Sequence, residues 1–198
     1  MALVRSILFV DGENLTMRYQ SLLKIGRQPQ PTVVHRPDIF LWNSTFGSDG
    51  VADINTDILR VNYYTSAVGD DVLIEDIRGQ IASQTYCGSG NYYGSCQLYP
   101  RVYKKLKQSA KSRLVDINIA VDVMRHAYTD AIDVVYLFSG DGDFLQLVED
   151  VMRSGKKVCL GAFSSGLESS LRSAVDRFVL LDELFFRPEP PPARNANA

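Results

Sequence analysis

Two apolar runs that end on the same kind of polar turn constrain this chain more than any other feature. Residues Ile7-Leu8-Phe9-Val10 close the run 3–10 and stop at Asp11-Gly12. Residues Val134-Val135-Tyr136-Leu137-Phe138, in the run 133–138, stop at Ser139-Gly140-Asp141-Gly142-Asp143. A short continuous apolar run bounded by a turn signal reads as a strand buried on both faces. After each run the period changes to a helical one. Leu15, Tyr19, Leu22 and Leu23 sit near 3.6 spacing in 14–25, and a second helix is predicted over 144–153.

The alternation recurs along the chain. Strands are predicted over 58–65, 98–104, 157–163 and 178–181, and helices over 73–85, 115–128 and 167–175. Pro100 falls where an edge strand tolerates it. Residues 27–58 are rich in Gly, Pro, Asn and Asp and read as an irregular insertion, with a short helix or loop at 35–46 around Trp42. There Phe40, Trp42 and Phe46 read as core. Residues 86–97 read as a Gly/Ser/Tyr loop. Strands alternating with helices imply right-handed crossovers and a mostly parallel sheet of five to six strands covered on both faces. The expectation is an α/β protein of three layers, α/β/α. Its one domain spans 1–186, followed by a Pro-rich disordered tail at 187–198.

Composition narrows the function classes. The 198 residues carry 21 basic and 23 acidic side chains, a net charge of −2. That excludes a strongly basic nucleic-acid coat, so binding to nucleic acid would need a local patch or a bound cation. Three cysteines without CxxC spacing and two unrelated histidines, His35 and His126, argue against a disulfide framework, a zinc site or a His-based triad. The first apolar run turns polar too soon for a signal peptide or a membrane span. An intracellular, cytoplasmic protein with no membrane contact is expected.

In a parallel α/β sheet, ligands bind outside the carboxyl ends of the strands. Asp11 and Asn14 follow the first strand there. Ser139, Asp141 and Asp143 follow the later one, and Asp116 opens the helix predicted at 115–128. Carboxylates gathered at one edge repel each other unless a cation offsets them or one takes up a proton. Oxygen-only donors favour Mg²⁺ or Mn²⁺. Each acid also has a plain structural role open to it: Asp11 as a helix cap, Asp141 as a turn, Asp143 as a capping box with Gln146. Asp116 aligns with Ala120, Val123 and Ala127, the expected sheet-facing stripe, so it needs a partner. Asp122 groups with Asn118, Arg125 and His126, which reads as a solvated charge pair. Glu13, Glu149 and Asp150 read as surface residues.

Residues 101–113 hold Arg101, Lys104, Lys105, Lys107, Lys111 and Arg113 with no acid. Tyr99 and Tyr103 interleave with them. Cations for phosphates and rings for stacking are the components of single-strand binding, and a solvated surface is the alternative.

Taken together, Phe9-Val10-Asp11-Gly12-Glu13-Asn14, Val115-Asp116 with Ala120-Val121-Asp122-Val123, and Ser139-Gly140-Asp141-Gly142-Asp143-Phe144 resemble the NYN domain, and within it the LabA-like bacterial group. The resemblance covers roughly residues 3–184 and is weaker across 27–97. It departs at Arg113-Leu114, where the family often has Lys-Gly. It implies a PIN-like (Rossmann-like) fold and ribonuclease chemistry dependent on Mg²⁺ or Mn²⁺. Asp11 would be the central metal ligand, with Asp116, Asp141 and Asp143 completing the acidic site. Asn14 would orient a water or the substrate phosphate, and Ser139 would support the acids. Asp122 matches the second acid of the helix motif and ranks behind these. Arg101, Lys104, Lys105, Lys107, Lys111, Arg113 and Tyr103 would contact RNA, single-stranded or structured. Two other readings stay open: an RNA- or protein-binding regulator on a NYN scaffold, and a haloacid-dehalogenase-like phosphatase. The latter lacks the Asp-x-Asp pair, since Gly12-Glu13 follows Asp11. A homodimer or a protein partner is left open.

Overall fold

A computed structural model describes residues 4–46, 56–87, 95–106 and 113–188. Six parallel strands form the central sheet: β1 (Val4–Asp11), β4 (Thr56–Ala67), β7 (Tyr99–Lys104), β8 (Val134–Phe138), β9 (Lys157–Ala162) and β10 (Arg177–Leu180). Their order is β10-β9-β8-β1-β4-β7. The chain builds outward from β1 through β4 to β7, then crosses back to β8 and builds the other way. The sheet therefore has its topological switch point between β1 and β8, where a crevice opens at the strands' carboxyl ends. The two polar turns singled out in the sequence are the ones that border it.

The buried strand at 7–10 has the alternation that burial on both faces demands. Leu8 and Val10 join one apolar cluster, Ile7 and Phe9 the other. Helices α1 (Gly12–Lys24) and α2 (Asp71–Ala82) cover the first face, with the short α6 (Asp182–Phe185). Helices α3 (Arg113–Tyr128), α4 (Leu145–Arg153) and α5 (Ser169–Ala174) cover the second. Pro100 lies in β7, which is an edge strand as expected.

The insertion departs from its reading. In place of a helix or loop, residues Val33–Arg36 (β2) and Phe40–Asn43 (β3) form an antiparallel hairpin. Asp38 turns it with φ 58°, a conformation Asp tolerates. Phe40, Trp42 and Phe46 are buried, as expected for core residues, and Leu41 is buried with them. The Trp42 indole N–H donates to the Thr85 carbonyl at 2.8 Å. Alternation fails as a signal here because all four residues of β3 are buried. The expected loop at 86–97 holds a second small hairpin, β5 (Thr85–Cys87) with β6 (Ser95–Gln97). Residues 47–55 and 88–94, and the expected tail beyond Pro188, lie outside the described residues.

Candidate active site

Asp11 ends β1 and caps α1, its carboxylate accepting the Asn14 backbone N–H at 3.1 Å. The Ser139 hydroxyl donates to its other oxygen at 2.8 Å. Asp11 thus takes the capping role open to it and stands at the carboxyl end of β1. Asp11 is 2% exposed. Burial pushes its carboxyl up from 3.8 to about 7, against the two hydrogen bonds, and the charges of Asp116 and Glu13 push the same way. Three acids therefore share one electrostatic neighbourhood, with the buried one at its centre.

The crevice is knitted across the switch point. The Asn14 side-chain oxygen accepts the Gly140 backbone N–H at 3.0 Å. Ser139 accepts the Asp141 N–H at 3.2 Å, and Asp141 accepts the Asp143 N–H at 3.1 Å, capping a 3₁₀ turn over Gly142–Phe144. Asp143 is exposed and Asp141 half-buried. Removing the Ser139 hydroxyl leaves Asp11 one donor short, so Ser139→Ala should destabilise the fold by about 1–2 kcal/mol. Chemical denaturation of the two proteins checks this.

Helix α3 corrects one reading. Its buried stripe is Val115, Ile119, Asp122, Val123 and Ala127. That is offset from the expected stripe at its first turns, so Asp116 lies half-buried at the edge and Asp122 turns inward. Asp122 is 9% exposed, not solvated. It accepts the Tyr64 hydroxyl at 2.8 Å and an Arg125 N–H at 2.8 Å, and Arg101 approaches to 3.7 Å. The i,i+3 pair with Arg125 was legible; Tyr64 and Arg101 were not. Glu13 is likewise no surface residue. Ser66 donates to it, and Lys105 pairs with it at 3.1 Å on a side chain only 10% exposed.

The basic segment divides by strand face. Tyr99, Arg101 and Tyr103 alternate onto the α3 side of β7, whereas Lys104 pairs with Asp71 of α2 at 2.9 Å. Arg113 is exposed at the start of α3. Lys107 and Lys111 lie outside the described residues. Sequence reasoning missed Arg18, one helical turn beyond Asn14. Its guanidinium lies against Gly166 (φ 71°), whose carbonyl in turn lies beside Gly140, so it stands at the crevice rim. The i,i+4 relation to Asn14 was the available signal.

All donors in the crevice are oxygens, the chemistry of a hard cation. Among the described residues no group of three or more Asp, Glu, His or Cys is close enough to hold a metal ion. A cation there could draw at most one or two carboxylates from the protein, Asp11 first, and would need other oxygens to complete its shell. Cys96 and Cys159 are free thiols. No helix among the described residues is long and apolar enough to cross a membrane. A concavity of about 670 Å³ between β10 and the β2–β3 hairpin, lined by Asn43, Arg177 and Glu183 among others, contains none of the expected site residues.

Comparison with known proteins bears on this crevice. The structure superposes with a TM-score of 0.59 on the crystal structure of a protein of unknown function from Vibrio parahaemolyticus RIMD 2210633. The two are 21% identical, and the match covers 94% of this chain and 98% of that one. This likeness speaks to the fold alone. A search of curated proteins finds no match. The family model of the NYN domain matches residues 5–182, spanning β1, the switch-point crevice and all six sheet strands, and the chain therefore belongs to the NYN domain family, within the PIN-like nuclease superfamily.

Proposed function

We propose that this protein is a divalent-cation-dependent ribonuclease that hydrolyses phosphodiester bonds at the β1–β8 crevice. The observation that carries this reading is Asp11. It is buried at the switch point, held by Ser139 and the Asn14 N–H, and raised to about 7 with Asp116 and Glu13 acting on it. A structural cap has no need of acidic neighbours, whereas a cation site does.

Asp11 and Asp116 are the residues that would hold the cation, with Asp141 and Asp143 at the outer rim toward substrate and its waters. Bound there, Mg²⁺ or Mn²⁺ would supply a water of lowered pKa and charge stabilisation for the phosphoryl oxygens. The chain's own residues do the positioning. Ser139 fixes the Asp11 carboxylate, and Asn14 locks the β8 turn to α1 so that Asp141 keeps its place. Lys105 holds Glu13 beside the crevice, offsetting its charge. RNA is the substrate in this reading, reached from the α3 side by Arg101 and Tyr103.

A panel of end-labelled single- and double-stranded RNA and DNA, incubated with Mg²⁺, Mn²⁺ or EDTA, tests the substrate class. RNA should be cut with either cation, and EDTA should stop the reaction. Cleavage confined to DNA, or unaffected by EDTA, would remove this reading.

A further inference from the structure

Three guanidinium groups converge beside α3, outside the β1–β8 crevice. Arg60 of β4 and Arg101 of β7 both lie over the Tyr99 ring, 5.2 and 4.9 Å from its centroid. Arg125 joins them through Asp122, which it contacts at 2.8 Å while Arg101 approaches the same carboxylate to 3.7 Å. Burial lowers the proton affinity of the His126 imidazole, and the charges of all three arginines reach it and add to that. The Asp122 carboxylate acts the other way. One acid against three permanent cations leaves local positive charge on a protein whose total is −2.

These groups are also accessible and incompletely satisfied. Tyr99 is 45% exposed, Arg60 is exposed, and the Arg125 side chain is 62% exposed. The Arg101 Nε is buried without a hydrogen-bond partner. A fold gains nothing by gathering three arginines around one acid at its surface. The cost of their mutual repulsion is offset when a polyanion lies across them.

Their position follows from the sheet. Asp11 pairs with Tyr64, and Tyr64 pairs with Arg101, so Arg101 lies two strands from Asp11 at the same level. At about 4.8 Å between strands, that is about 10 Å. Arg125 lies nine residues along α3 from Asp116, about 14 Å at about 1.5 Å per residue. A strand lying over the arginines reaches the crevice without a break.

We infer that Arg60, Arg101 and Arg125, gathered around Tyr99, form a cradle for the phosphodiester backbone of single-stranded RNA on the nucleotides flanking the cleaved bond. The identity of the polymer rests on the ribonuclease reading; the cradle itself rests on the arginines. Guanidinium forks hold phosphate oxygens, and their planes, backed by the Tyr99 ring, accept a stacked base.

The test is fluorescence anisotropy of a labelled single-stranded 12-mer RNA on the full chain carrying Asp11→Asn, across a range of salt. Adding Arg60→Gln or Arg125→Gln should each weaken binding by about tenfold and lower the log–log salt slope by about 0.7. Lys24→Gln, an equal charge loss on the opposite face, should change neither. Among the described residues Arg60 makes no ion pair whose loss would unsettle the fold, and Arg60→Lys should restore the slope with part of the affinity. In the protein that keeps Asp11, Arg60→Gln should slow cleavage of the 12-mer and leave a dinucleotide, too short to reach the cradle, unaffected. Slopes unchanged by both arginine variants, or an equal loss with Lys24→Gln, would overturn the cradle. Arginine-dependent binding in a protein that cuts no RNA would support the cradle and sink the ribonuclease reading instead.

Discussion

Asp11→Asn should lower RNA cleavage by about 10²–10³-fold or more and, at pH 8, make the protein more stable. The two effects have one cause. The folded chain buries the Asp11 carboxyl and raises it from 3.8 to about 7. Below about pH 4 the group is protonated in both folded and unfolded chains, and its burial costs nothing by this route. Between about pH 4 and 7 the unfolded chain gives up the proton and the folded chain keeps it. The folded state then binds more protons, so stability falls as pH rises. Above about pH 7 the full penalty stands, on the order of 4 kcal/mol for a shift of about three units. Asparagine carries no charge to bury and still accepts the Asn14 N–H, while Ser139 turns from donor to acceptor. Thermal unfolding without added metal should show a midpoint several degrees higher for Asp11→Asn at pH 8, and no such gap at pH 4. Millimolar Mg²⁺ should narrow the gap by stabilising the unmutated protein alone. Equal midpoints at pH 8 would mean that Asp11 is not the strained centre of the site.

Gly12→Ala should destabilise the protein by about 3 kcal/mol and impair cleavage with it. Helix propensity alone predicts the opposite. Gly12 opens α1, and alanine is favoured over glycine in a helix by about 1 kcal/mol. Sterics decide the matter. A Cβ at Gly12 would overlap the Tyr63 ring and lie 2.7 Å from the Tyr64 carbonyl oxygen. Tyr63 cannot swing away, because it is fully buried and its hydroxyl is hydrogen-bonded to Leu41 on both the N–H and the carbonyl side. The strain must then move α1 off the sheet, carrying Asp11 and Asn14 with it. Denaturant titration reads the stability loss. A stabilised Gly12→Ala protein would show that Asp-Gly is only a turn signal.

Much of the sheet was legible because its signal is local. Residues 7–10 and 134–138 are too apolar for any other element of their length, and the turns that end them carry the acids. The strand order then places those turns together without further information, since β1 and β8 flank the switch point. The β2–β3 hairpin was not legible. Its second strand, Phe40–Asn43, is covered on both faces by the core beside β4 and α6 and so lost the alternation that marks a hairpin. On α3 the expected stripe holds at Val123 and Ala127 and is one residue out of phase in the first turns. A helix turns about 100° per residue, so starting the stripe at Asp116 instead of Val115 left Asp122 facing water. What gives Asp122 a partner on the inner side is Tyr64, which reaches across from β4 to bond it. Glu13 and Arg60 were hidden for the same reason: Ser66, Lys105 and Tyr99, which give them their roles, lie far along the chain.

The central claim is that the switch-point carboxylates make this NYN domain a cation-dependent ribonuclease. Its most direct test is the time course of a 5′-labelled single-stranded RNA with the unmutated protein and Asp11→Asn, purified side by side, in Mn²⁺ and in EDTA. Cleavage by the unmutated protein in Mn²⁺, abolished both by EDTA and by Asp11→Asn, is the expected result. Cleavage by Asp11→Asn at the unmutated rate, or none by either protein under any condition, would contradict it.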